Sequence, residues 1–378
     1  MHENLVIGIL KEHGITHIAS VPCDKAKDLC FLLPGHFDHI GLTREEDGIG
    51  VCAGLVLAGK RPAMVIQSSG LGNSLNAMMS LTKTYDLPLP VIASWRGVQD
   101  EIIPAQVPFN SAIPGILDAT GIPYTVIRTS EDFGKIGDVI DDAFLHSQPH
   151  VALVLPMAWE GEGSCPEVSP PPSRKRRVRL SYERTIRDPV MTRYDAIRVI
   201  ARFLDGQAVV ANIGVPCKEL YAARDRPENF YMLGSYTQAS PLGLGIASGT
   251  SRDVWVIDGD GSILGTGILP VIGARQTKNL TIFCLDNGAF GSTGNQLTPA
   301  YKDTDLELLA IAAGFRFTAK TQTETELAAV IGDIRPGPNF IHVLLKPGNA
   351  AVKNIPLSPH EIRDRFMAAV NGSQSRVF

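Results

Sequence analysis

The stretch "GDGSILGTGILPVIGARQTKNLTIFCLDNGAFGSTGNQ", Gly259 to Gln296, sets an acidic residue between two glycines and a polar pair, Asp286-Asn287, after a second apolar run. Two short, β-branched runs, Val254–Asp258 and Leu280–Leu285, are bounded by breakers and read as buried parallel strands. Each ends in an Asp-containing polar turn. Open parallel sheets bind their ligands at the carboxyl ends of the strands, so the stretch delivers Asp260 and Asn287 to one rim.

The same alternation runs through the rest of the chain. The first half offers strand-like "HIASVP", "PAMVIQSS", "LPVIASW", "PYTVIRT" and "VALVLP", with helical patterns between them such as Asp132–Ser147. The second half repeats the scheme with "QAVVANIG", "NFYMLG", "DVWVIDG", "LTIFCLDN", "FRFTA" and "FIHVLL". Strands alternating with helices predict an α/β fold with a parallel sheet in each half. The Pro-, Gly- and charge-rich segment between them predicts a linker at 161–190, dividing a domain over 1–160 from one over 191–378. Its basic run, Arg174–Arg179, reads as a solvated tether of an acidic protein in preference to a nucleic-acid patch.

Composition bounds the function classes. A length of 378 residues asks for two or three domains. A net charge of −4 gives no footprint for nucleic acid, and no apolar run is long enough to span a bilayer. The opening "MHENLVIGILKEHG" lacks a basic n-region and reads as an amphipathic first helix, not a signal peptide. Cys23, Cys30, Cys52, Cys165, Cys217 and Cys284 contain no C-x-x-C pair, which fits a reducing cytoplasm better than a zinc site or a disulfide framework. No G-x-G-x-x-G closes a first strand, so a nicotinamide dehydrogenase is disfavoured.

Magnesium clamping a diphosphate asks for hard oxygen ligands, some from protein and some from phosphate. Asp260 offers a carboxylate, Asn287 a side-chain carbonyl, and Ala289 a main-chain carbonyl two residues on. Gly259 and Gly261 let backbone approach the phosphates, and Ser262 opens the helix whose N–H groups point at them. Tight turns using Gly, Asp and Asn for geometry alone are the plainer reading of either motif by itself. The two motifs together, each after a buried strand, favour the metal.

This stretch resembles the thiamine-diphosphate motif: G-D-G, an Asn somewhat under thirty residues later, then "FGSTGNQ". The resemblance implies two thiamine-diphosphate-binding domains joined by a linker, one for the pyrimidine and one for the diphosphate, with Asp260, Asn287 and the Ala289 carbonyl on magnesium. Related enzymes often read G-D-G-S-x-L-M-N-L-G. Here "GDGSILGTG" is one residue shorter, so the loop over the diphosphate differs in shape.

Thiamine diphosphate needs a carboxyl group against its aminopyrimidine, to relay the proton that lets the thiazolium carbon become a nucleophile. "LTREEDGIGVCAGLVLAGKRP" supplies Glu45 and Glu46 at a strand-to-helix junction, where either also favours a helix start. In thiamine enzymes the catalytic Glu precedes a helical Gly by nine residues. Glu45 and Gly54 match, so Glu45 is preferred to Glu46.

Over nearly its whole length the chain resembles the sulfopyruvate decarboxylases of coenzyme M biosynthesis, whose pyrimidine and diphosphate parts are often separate subunits. "SVPC", "TREEDGIG", "QSSGLGNSLNAMMSL", "SWRG" and "IPAQVP" carry the likeness in the first half. "RYDAI", "NIGVPCKELY", "FYMLGS", "GSTGNQ" and "KNIPLSPHEI" carry it in the second. Met191 sits where a separate second subunit would start, so the chain resembles a fusion of the two. The phosphonopyruvate decarboxylases share "SGLGN" and "WRG" types of sequence but usually read D-E-P-Q-H where this chain has "DEIIPAQV". A cofactor-binding but inactive homologue is a third reading.

The resemblance implies decarboxylation of a small dianionic 2-oxo acid, with Gly70, Gly72, Asn73, Gly234, Ser235 and Tyr236 against the cofactor. A homo-oligomer with sites at chain interfaces follows, in which Glu45 is expected to serve the neighbour's Asp260. Cations should line the substrate pocket; Lys25 and Arg96, at strand ends, are the candidates. Gln106 stands where many thiamine decarboxylases carry a His pair. In relatives the Tyr236 position usually holds Met, Leu or Ile followed by Gly, which props the cofactor into its bent form; here Tyr236-Thr237 replace that pair.

Overall fold

The computed structural model describes residues 2–99, 101–159, 173–174 and 180–372. Each predicted run forms a strand. The first half holds β1 (His17–Ser20), β2 (Asp38–Gly41), β3 (Pro62–Gln67), β4 (Leu89–Ser94), β5 (Tyr124–Ile127) and β6 (Pro149–Val154). They make one sheet in the order β2-β1-β3-β4-β6-β5, parallel throughout. The second half holds β7 (Ala208–Ala211), β8 (Asn229–Tyr231), β9 (Val254–Gly259) and β10 (Leu280–Asp286). A short antiparallel pair follows, β11 (Ala289–Phe290) with β12 (Gln296–Leu297), then β13 (Phe317–Thr321) and β14 (Asn339–Leu344). Its main sheet is also parallel, in the order β8-β7-β9-β10-β14-β13. Counted within each half, both sheets therefore read 2-1-3-4-6-5. Strand β9 and strand β10 are buried from end to end apart from Gly259, as their uninterrupted apolar runs require. The helical pattern at Asp132–Ser147 becomes a single 3₁₀ turn, Ser130–Gly134, leading into the helix Lys135–Leu145.

The equivalent helices of the two halves, Glu45–Leu57 and Ala239–Gly249, lie against each other. Their backbones touch. A Cβ on Gly54 would stand 2.1 Å from the Leu242 carbonyl oxygen, and one on Gly245 2.0 Å from that of Val51. Only glycine permits this crossing. Nearby, the buried Tyr85 hydroxyl donates to the Tyr231 carbonyl and accepts from the Leu233 amide, both at 2.8 Å. The apolar interior runs without a break from one sheet to the other.

The predicted linker is a strap where it is described. Leu180–Val190 has neither helix nor strand. The Tyr182 hydroxyl donates to Asp305 and Glu307 at 2.9 Å, Arg184 forks onto buried Glu307, and Arg187 pairs with Glu326. The segment is thus fastened to the second half. Of the basic run only Arg174 is described, and exposed; the others, like Cys165, lie outside the described residues. Among the described residues no helix is long and apolar enough to cross a membrane.

Candidate active site

In the second sheet the strand order reverses between β7 and β9, which opens a crevice at their carboxyl ends. It is a cleft of ≈ 150 Å³, lined by Arg193, Asn212, Tyr236, Asp260, Asn287 and Ser292 among others. Asp260 is 2% exposed and takes a hydrogen bond from the Thr298 hydroxyl. Burial first, and then neighbouring Asp286, raises its pKa to about 7. Asn287 accepts from the Ala289 amide at 3.3 Å, while its Nδ2 is buried with no hydrogen-bond partner among the described residues. The Ala289 carbonyl accepts from the Gly291 amide at 2.9 Å and keeps one lone pair. Asp286 fixes this turn: it accepts from the Gly288 amide at 2.8 Å and bonds the His342 ring at 2.7 Å.

These donors fit magnesium held together with a diphosphate. The set is one buried carboxylate, one side-chain carbonyl and one backbone carbonyl, all hard oxygens, and too few to complete an octahedron alone. Among the described residues no three His, Cys, Asp or Glu gather into a metal cluster, so an ion here needs ligands brought by its phosphate. A Cβ on Gly261 would strike the Phe290 ring at 2.4 Å, so the turn must be glycine. Gly259 and Ser262 line the cleft beside it.

Tyr236 reaches over this turn and donates from its hydroxyl to the Gly261 carbonyl at 2.6 Å. Its neighbours Ser235 and Thr237 both have left-handed backbone, φ 69° and 73°. For a β-branched residue that is strained, of the order of 1–3 kcal/mol, and strain of this kind gathers at functional loops. Gly234 does not face the cleft. A Cβ there would stand 3.0 Å from the Ser80 carbonyl oxygen of the first half.

Glu45 begins the helix Glu45–Leu57 and accepts from Asn73 Nδ2 at 3.0 Å. A Cβ on Gly70 would stand 2.5 Å from Glu45 Cγ, and one on Gly72 2.8 Å from the Phe109 ring. Gly70 and Asn73, expected to touch the cofactor, therefore seat Glu45, and Gly72 makes room for Phe109. Glu46 turns away and pairs with Arg44 at 2.7 Å. Glu45 lines a crevice with Asn73 and with Gly265, Thr266 and Gly267 of its own chain. A Cβ on Gly265 would in turn stand 3.3 Å from Tyr236 Cε1. Glu45, the segment after the G-D-G turn, Tyr236 and Asp260 thus follow one another within a single chain.

The substrate candidates fare less evenly. Lys25 lines a separate surface crevice with Gln99 and Glu101. Arg96 is 4% exposed and already neutralised, its Nε donating to Glu101 at 2.7 Å. The guanidinium holds the Glu101 carboxyl down at about 2. Arg96, expected to meet the substrate as a cation, thus holds an ion pair with Glu101. Gln106 accepts from the Ser69 hydroxyl at 2.8 Å and packs beside Asn110 in the first half. Sequence reasoning missed Arg193, Thr298 and Asp47. The last carried a signal as the third acid of "REED", but it was passed over with the helix start.

Comparison with known proteins agrees with this geometry. Models of the thiamine pyrophosphate enzymes match, the N-terminal TPP binding domain over residues 2–117 and the C-terminal one over 214–343. The fold also matches a solved chain from Mycobacterium smegmatis assigned to the thiamin diphosphate-dependent enzymes, with TM-score 0.68, 14% identity and coverage of 92% of this chain and 99% of that one. The chain is thus a thiamine pyrophosphate enzyme by both domains. A sulfopyruvate decarboxylase of Methanosarcina acetivorans is 46% identical across 96% of both chains. A phosphonopyruvate decarboxylase of Streptomyces viridochromogenes is 31% identical across 94% of this chain and 92% of its own. A sulfopyruvate decarboxylase subunit beta of Methanothermobacter thermautotrophicus, 43% identical, covers 49% of this chain with 98% of its own length. This chain belongs to the sulfopyruvate decarboxylase family, with the parts that occur elsewhere as separate subunits joined in one polypeptide.

Proposed function

We propose that this chain is a carboxy-lyase that uses thiamine diphosphate and Mg²⁺ to convert sulfopyruvate to sulfoacetaldehyde and carbon dioxide, for coenzyme M biosynthesis in the cytoplasm. The observation that carries the reading is Glu45 set against the segment after the G-D-G turn, beside a cleft of magnesium-type oxygen donors. Asp260, Asn287 and the Ala289 carbonyl hold the metal, while Gly259, Gly261 and Ser262 receive the phosphates. Glu45, seated by Asn73, moves the proton at the aminopyrimidine. Tyr236, held to the Gly261 carbonyl, supports the bend of the cofactor in this reading. When bound, the thiazolium supplies the electron sink for decarboxylation. The free state of the described cysteines fits a reducing compartment. The homo-oligomer expected from the family stands in this reading with each site built from one chain.

The test is carbon dioxide release by the purified protein with thiamine diphosphate, Mg²⁺ and either sulfopyruvate or phosphonopyruvate. The expected result is a kcat/KM for sulfopyruvate at least ~10-fold higher, a difference of ~1.4 kcal/mol in transition-state binding. The reverse order overturns the substrate, and no release from either overturns the activity.

A further inference from the structure

We propose that Arg193 binds the terminal phosphate of thiamine diphosphate; the proposal rests on the cofactor reading above. Arg193 opens the helix Arg193–Arg202, behind a Thr192–Asp195 capping box that fixes the helix start. Its side chain is 6% exposed, yet it forms part of the cleft wall together with Asp260 and Asn287.

One edge of the guanidinium is spent inside the protein. Nε donates to Glu219 at 2.7 Å, and Nη2 donates to Glu219 at 3.1 Å and to Asn349 at 2.7 Å. Glu219 is wholly buried and also accepts from the Ala350 amide at 3.0 Å. A planar fork held along one edge cannot turn, so the direction of its remaining N–H groups is set.

Among the described residues Nη1 makes no hydrogen bond, and it points to the cleft beside Gly291. A Cβ on Gly291 would stand 3.3 Å from Nη1 and 3.4 Å from Asn287 Nδ2. The second of these is the buried amide nitrogen without a partner. Two unspent N–H donors thus bracket the same edge of the cleft, and glycine at 291 keeps the gap between them open. Asn349 closes the far side, donating to the Gly291 carbonyl at 2.7 Å. Donors of this kind, next to magnesium-type oxygen ligands, are suited to an anionic oxygen. With Glu219 cancelling its net charge, Arg193 contributes a directed hydrogen bond more than a field. The outer phosphate, the end of the cofactor remote from its thiazolium, is the part that would need such an anchor.

A role limited to holding the Asn349 loop predicts something different, and two ligands separate the roles. Thiamine monophosphate lacks the terminal phosphate. Binding of each ligand to the full chain, freed of cofactor and given Mg²⁺, is read by calorimetry, independently of turnover. The double variant Arg193→Met/Glu219→Gln avoids leaving Glu219 buried and unpaired. It should weaken thiamine diphosphate binding by ~10–100-fold and leave thiamine monophosphate within about twofold. Equal loss for both ligands, or loss for neither, overturns the proposal. If the double variant does not fold, Arg193→Lys, which keeps the charge but lacks the fork, should show the same preferential loss of ~10-fold. Failure of the unmodified chain to bind thiamine diphosphate overturns the cofactor reading itself. Binding without decarboxylation leaves the Arg193 assignment intact and overturns only the activity.

Discussion

The Asp47 carboxylate accepts a hydrogen bond from the Gly267 amide at 3.0 Å, across 220 residues of sequence, and another from the Thr266 hydroxyl at 2.6 Å. It ties the start of the Glu45 helix to the segment that follows Asp260 and Ser262. The acid is 1% exposed, and burial lifts its pKa to about 6 against those hydrogen bonds and Arg44, with Glu46 pushing the same way as burial.

An unfolded Asp titrates near ~3.9, so the native state holds the Asp47 proton more tightly than the unfolded one. The native carboxylate is therefore penalised. The penalty is absent below about pH 4, grows between about 4 and 6, and is complete above, at most roughly 3 kcal/mol at ~1.36 kcal/mol per unit. Asp47→Asn should remove this pH dependence. Urea unfolding from pH 7 to pH 4 should show wild type gaining roughly 2–3 kcal/mol relative to the variant as the pH falls. A difference that stays constant with pH defeats the account.

Glu45→Gln should keep cofactor affinity and slow exchange of the thiazolium C2 proton by ~10²–10⁴-fold, because an amide relays no proton. Glu46, paired with Arg44 on the other side, should tolerate Gln within about twofold. Proton–deuterium exchange followed by NMR measures both, and a larger defect at Glu46 reverses the assignment.

Asp260→Ala should abolish thiamine diphosphate binding by calorimetry while the fold persists, since it removes a buried acid whose charge the native state already disfavours. Co-expressing Glu45→Gln and Asp260→Ala chains with different tags then tests how the sites are built. With both residues supplied by one chain, every site in the doubly tagged oligomer keeps one lesion and activity stays absent. Recovery of about half the wild-type activity per hybrid dimer would mean crossed sites.

Arg96→Ala should lower the melting temperature by several degrees, because it leaves the Glu101 side chain, only 6% exposed, without its ion-pair partner. The double variant Arg96→Met/Glu101→Gln should recover most of that loss. A single variant as stable as wild type, with substrate use impaired, would return Arg96 to the role of a free anion binder.

Much of the architecture was legible because burial on both faces leaves a plain mark: β9 and β10 are short apolar runs with breakers at each end. Strand β2 escaped. As an edge strand reading "DHIG", with only Ile40 fully buried, it has neither an apolar run nor a clean alternation. The proposed metal ligands were legible because each sits in a short turn directly after an uninterrupted apolar strand. The glycines were half legible. The resemblance marked Gly70 and Gly72 as special, but what presses on them, Glu45 and Phe109, comes from other elements. The Arg96–Glu101 pair was hidden for the same reason. A cation at a strand end reads as free until the loop carrying Glu101 is folded back over it.

The Gly54–Gly245 crossing and the buried Tyr85 contact have a consequence for how such a catalyst is supplied. Two surfaces that meet backbone to backbone recognise each other whether or not a peptide bond connects them. The covalent join therefore adds dosage control more than affinity. Each round of translation delivers one N-terminal and one C-terminal TPP binding module, already at a local concentration that free partners would reach only at about millimolar levels. No module is left exposing its glycine helix while it waits for a mate.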